Sequence, residues 1–68
     1  MCIIFHKPKG IILPDNILEM CWKSNPHGAG FMVAKNDQLI VKKGFLELNK
    51  FIEEYKKYES ENLVAHFR

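Results

Sequence analysis

Two cysteines, three prolines and a single tryptophan are all that 68 residues hold of these types. One disulfide is the most this chain can form, which excludes the cysteine-dense scaffolds of small secreted domains. No apolar stretch approaches the roughly 20 residues of a membrane-spanning helix. No secretory leader is visible either, so the expected compartment is the cytoplasm, with no membrane partner. An excess of charge is also lacking: ten basic against eight acidic side chains leave a formal +2. That is too weak to point to nucleic acid. Repeats, linkers and low-complexity segments are missing, so one small domain is expected. What is there, 47% hydrophobic and 26% charged residues, is the balance of a globular chain. A domain this short buries only about 60% of its unfolded surface and has stability to match.

Residues 2–6 (CIIFH) form an apolar run that Pro8 and Gly10 halt, which predicts a short strand. Pro14 biases Leu13 toward extended geometry, and Asp15 is placed to cap a helix over residues 15–23. On it Ile17, Leu18, Cys21 and Trp22 share an apolar face, and the helix ends at residues 24–26. Apolar runs at residues 31–34 and 39–41 around a polar turn at 35–38 predict a hairpin, broken by Gly44. Leu48, Phe51, Ile52, Tyr55 and Tyr58 recur at helical spacing, with Asn49 as cap and Glu53 and Lys57 as an i,i+4 pair. Residues 62–67 read as a final strand. The expectation is an α+β fold in the order β-α-β-β-α-β. Its closing strand should leave an exposed edge and a half-covered sheet, as in a longer domain that has been cut.

Three features carry chemistry. Cys2 directly follows the initiator methionine. If Met1 is removed, thiol and α-amine share one residue. A free α-amine titrates at about 7.7–8.0 and a free thiol at about 8.5. The amine can then take the thiol proton, directly or through one water. The bland alternative is a small apolar residue opening a core strand. The second feature is SNPHGAGF, where Gly28 and Gly30 allow positive φ or close backbone approach, against the alternative of an ordinary turn. The third is LVAHFR, in which alternation puts Val64, His66 and Arg68 on one face. A terminal arginine can fork two hydrogen bonds onto a carboxylate; alone, it reads as a solvated charge. Cys2, His6, Cys21 and His27 are a conceivable metal set, but their spacings do not match compact zinc knuckles, so no metal or cofactor is expected.

MC-x-IF at the N-terminus, NP-x-G-x-GF about two dozen residues on, and the LVAHFR strand after an intervening helix together resemble the class II glutamine amidotransferases. These are N-terminal-nucleophile (Ntn) hydrolases, whose usual motifs are MCGI, RGPDGxG and GHTR. The resemblance spans residues 1–68 and is nearest to stand-alone, phage-type members. It departs at Ile3, which replaces a glycine, and at residues 24–27, where SNPH replaces RGPD. The resemblance implies that Cys2 is the nucleophile, freed by loss of Met1. It implies that Arg68 holds the α-carboxylate of glutamine, that Gly28 and Gly30 shape the substrate site, and that His66 is a structural strand residue. The implied reaction attacks the glutamine side-chain amide, releases ammonia and hydrolyses a γ-glutamyl thioester. The implied partner is a synthetase domain or subunit that takes up the ammonia.

The family's asparagine-glycine oxyanion motif and a further substrate-binding aspartate fall beyond the arginine strand. The resemblance therefore implies that residues 1–68 are the N-terminal portion of an αββα sandwich, with little or no activity alone. Two other readings stay open: an Ntn hydrolase acting on a different amide, and a non-catalytic interaction protein using the exposed sheet edge.

Overall fold

The structure, a computed structural model, describes residues 2–68. Six elements follow in chain order: β1 (Ile3–Lys7), α1 (Asp15–Ser24), β2 (Ala29–Lys35), β3 (Gln38–Phe45), α2 (Leu48–Lys56) and β4 (Asn62–Phe67). The fold is α+β, a four-stranded antiparallel sheet with two helices. The strand order is β1-β4-β2-β3. The closing strand, expected to leave an exposed edge, is internal instead: β4 lies between β1 and β2, and β1 and β3 form the edges. Strand alternation cannot reveal this, because which strands pair is decided by long-range contacts.

Period-two alternation separates the faces. Leu63, Ala65 and Phe67 on β4 are buried with Ala29, Phe31 and Val33 on β2. Register sets Phe31 opposite Ala65 and Val33 opposite Leu63, so these side chains form one apolar layer. Leu18 of α1 and Phe51 and Tyr55 of α2, all fully buried, cover that layer. Phe51 is the hub. Its ring centroid lies 5.0 Å from Phe67, 5.6 Å from Phe45 and 5.8 Å from Phe31. Each such aromatic pair adds about 0.5–1.5 kcal/mol to simple burial. Both helices lie on this face. On the other, Ile4, Met32, Leu39 and Val41 are exposed at 69%, 41%, 66% and 54%, which leaves the sheet half covered.

The helix caps differ from expectation by one residue in α1 and by two in α2. Pro14 occupies the N-cap of α1, in extended geometry and without a side-chain cap bond. Asp15 is instead the first helical residue, where its charge favours the helix N-terminus and meets Lys56 Nζ at 2.6 Å. Glu47, not Asn49, caps α2. Lys57 pairs with Glu54 at 2.6 Å rather than with Glu53.

The hairpin turn tightens to Asn36 and Asp37, with φ of 52° and 61°. Positive φ at both central residues is the primed geometry whose twist matches the flanking strands. Gly44, expected to break β3, lies inside it. Ala29 pairs with Phe45, whereas Phe31 pairs with Lys42, so β3 holds one residue more than β2 across this interval. This bulge resets the alternation. Lys42 and Phe45 both face the helices, where Lys42 reaches Glu54 at 3.8 Å and Phe45 stacks on Phe31. Lys43 is left toward the open side.

Lys7 is the one buried cation among the described residues. Its Nζ donates to the carbonyl oxygens of Glu61 at 2.7 Å and Pro8 at 3.2 Å, tying the end of β1 to the turn before β4. No helix among the described residues is long and apolar enough to cross a membrane.

Candidate functional site

β1 and β4 run antiparallel with Ile3 opposite Phe67 and Ile4 opposite His66. One step further, the same register sets Cys2 beside Arg68. Both side chains are exposed. Each lies one residue beyond its strand, and the cleft they share is walled by the C-terminal end of α1 at Ser24 and the residues that follow it. Residues at opposite ends of the chain are thereby brought together.

The loop between α1 and β2 closes the third side. His27 N–H donates to the Arg68 carbonyl at 2.7 Å, and Arg68 N–H donates to the Gly28 carbonyl at 2.8 Å. Arg68 is held by its backbone against this loop on one flank and stands next to Cys2 on the other. Gly28 adopts φ +142°, a conformation that side-chain-bearing residues rarely take. Gly30 is required for a different reason. A Cβ there would lie 3.0 Å from the Lys42 carbonyl and 3.1 Å from Lys43 Cα, so β2 and the bulge of β3 approach closely only with glycine.

Two clefts result. The first, of about 230 Å³, is lined by Cys2, Ser24, Asn25, Pro26, His27 and Arg68. The second, of about 280 Å³, lies across His27 and Arg68 from it; Gly28, Gly30, Lys43, Gly44 and His66 contribute to its lining. The residues singled out in the sequence thus gather around two clefts that share an arginine. His66 faces the second cleft rather than the core, so its position is not that of a packed strand residue.

The two thiols differ. Both are free; Cys2 is exposed, whereas Cys21 is half-buried against the core and burial pushes its thiol pKa up. A raised pKa keeps Cys21 protonated and a poor nucleophile. Among the described residues no group of three or more His, Cys, Asp or Glu could hold a metal ion. The loss of Met1 concerns a residue outside those described.

Asn25 and Lys43 line the clefts although neither is among the candidate site residues of the sequence; Asn25 lies within SNPHGAGF, and Lys43 lies in no motif. Asn25 reads as a helix terminator, and its backbone N–H does cap the end of α1 by donating to the Cys21 and Trp22 carbonyls. It is also one of the few buried polar residues, at 7% exposure, and lies on the wall of the Cys2 cleft. Lys42 and Lys43 both fall after the apolar run at 39–41, and only the bulge distinguishes them. No protein-family model, curated protein or solved structure matches this chain.

Proposed function

We propose that these residues form the N-terminal portion of an Ntn amidohydrolase of the class II glutamine amidotransferase type, built as part of an αββα sandwich. The observation that carries this reading is the shared cleft of Cys2 and Arg68. A thiol that can become the first residue and a guanidinium able to grip a carboxylate line one cleft at the end of the sheet.

In this mechanism, loss of Met1 leaves the Cys2 α-amine free to accept the thiol proton. The thiolate attacks the glutamine side-chain amide carbon, and the carbonyl electrons move to oxygen. As the tetrahedral intermediate collapses, the C–N bond breaks and the α-ammonium returns its proton to the leaving nitrogen, which departs as ammonia. A γ-glutamyl thioester remains on Cys2. Water, deprotonated by the same amine, then attacks it and releases glutamate. Arg68 holds the α-carboxylate by paired, charge-assisted hydrogen bonds throughout. Gly28 and Gly30 line the neighbouring cleft rather than this one, and Gly28 acts through its carbonyl, which accepts the Arg68 N–H at 2.8 Å and so positions Arg68. A synthetase domain or subunit is the consumer of the ammonia.

The test is intact-mass analysis of the purified chain before and after incubation with a glutamine-mimicking diazoketone. Expected are loss of Met1 and a single adduct that maps to Cys2 and vanishes in Cys2→Ser. In Arg68→Gln the labelling rate should fall about tenfold, equivalent to about 1.4 kcal/mol of lost carboxylate binding. Retention of Met1, or equal labelling of Cys21, overturns the proposal.

A further inference from the structure

The second cleft has a chemistry of its own. The ionisable side chains of its lining are all of basic type, Lys43, Arg68, His27 and His66, and no side-chain carboxylate takes part. Elsewhere among the described residues, Lys9, Lys23 and Lys50 also have no carboxylate within 4 Å, but none of them lines this cleft, and four other lysines are paired. Lys35, Lys42, Lys56 and Lys57 each lie within 4 Å of a glutamate or aspartate oxygen. Among the described residues, neither Lys43 nor Arg68 has such a partner. The contrast between Lys42 and Lys43 is built by the bulge. Lys42 points to α2 and its Glu54, while Lys43 is turned to the cleft. Bulges recur where a side chain must be re-aimed. This one depends on Gly44 at φ +81° and on the bare Cα of Gly30, against which Lys43 packs.

We infer that this cleft is a binding site for a small dianion, a phosphate monoester or a dicarboxylate, held by Lys43 and Arg68 with His66 and His27 at its rim. Unpaired positive charge in a concave site concentrates field and anions. Arginine supplies a planar fork and lysine a point charge, the combination suited to a ligand with several oxygens. Gly44, where an added Cβ would meet nothing within 4 Å, leaves the backbone open to the ligand. The inference is independent of Cys2 chemistry, although Arg68 borders both clefts.

The experiment is titration of the ¹⁵N-labelled 68-residue chain with inorganic phosphate and, separately, with malonate at low ionic strength, following amide shifts. Saturable shifts centred on Gly28, Gly30 and Gly44 are expected with at least one anion, and which anion acts identifies the ligand class. Lys43→Gln should weaken binding about fivefold, the effect of one unit charge at about 4 Å in water. His66→Gln should weaken it as well, whereas Lys50→Gln on α2 should not. All three changes are at exposed positions, and dispersed spectra establish that each variant is folded. Lys43 borders this cleft and not the Cys2 cleft, so Lys43→Gln should weaken anion binding while leaving the diazoketone labelling rate of Cys2 unchanged, which separates this site from the proposed hydrolase. No saturable shift with either anion, or equal affinity in Lys43→Gln and Lys50→Gln, overturns the inference.

Discussion

Tyr55 shows how one residue can report on the whole core. Its ring is fully buried between Phe51 and Phe31, yet its hydroxyl is buried with no hydrogen-bond partner. Burial and then the charge of Glu59 push its pKa from an ordinary value near 10 up to about 12. The unfolded tyrosine loses its proton from about pH 10, the folded one only near 12. Between these values the folded state binds the extra proton, so its stability must fall as pH rises. Lys7 acts in the opposite sense: burial lowers its folded pKa, so its contribution to stability grows as pH climbs toward the ordinary lysine value. Comparing Tyr55→Phe with the parent isolates the tyrosine. At neutral pH the variant should be equal in stability or better by up to about 1 kcal/mol, because an orphaned hydroxyl is removed. From pH 10 to 12 it should lose less stability than the parent in urea unfolding. Parallel pH profiles would mean that the hydroxyl is solvated in solution.

At the scale of elements, the β2–β3 hairpin is the sharpest test of local geometry. Asn36 and Asp37 both hold positive φ, which suits asparagine and, best of all, glycine at the second position. Asp37→Gly should therefore raise Tm, while Asp37→Val should lower stability by about 1–2 kcal/mol, the cost of forcing a branched residue into left-handed geometry. Roughly 4–8 °C of Tm accompanies each kcal/mol in a domain this small, so calorimetry resolves the order easily. The reverse order would exclude the primed turn. The turn and the helices are legible in the sequence because spacing and turn residues act over a few positions. The caps at Pro14 and Glu47 are not, since extended residues without a side-chain cap bond leave no signature. Nor is the bulge at Gly44 legible, as it exists only relative to β2. For the candidate site, the sequence marks Cys2, Gly28, Gly30 and Arg68 by residue type and motif. Their gathering depends on β4 inserting between β1 and β2, a long-range event. Lys43 stays invisible for the same reason, and Asn25, though inside SNPHGAGF, has nothing that marks it as a wall of the cleft.

On the scale of the whole molecule, the decisive feature is that both helices lie on one side of the sheet. Ile4, Met32, Leu39 and Val41 form an apolar patch on the other side, next to the two clefts. Patches of this kind on small proteins mark surfaces that meet something. In the proposed αββα arrangement, a second sheet packs on this face at about 10 Å and turns the open clefts into an enclosed site. The two states make opposite predictions for one substitution. In the 68-residue chain Val41 is 54% exposed, so Val41→Lys places an ammonium in water and should change stability by less than about 1 kcal/mol. With a second sheet in place, the same ammonium would be buried without a partner, at a cost of at least about 3 kcal/mol. Urea unfolding of the 68-residue chain should therefore show near-equal midpoints for parent and variant. A large loss in this chain alone would mean that the face is already covered in solution. The Cys2 cleft and the basic cleft would then lie at a closed interface, and free access of glutamine or a dianion to either would be ruled out.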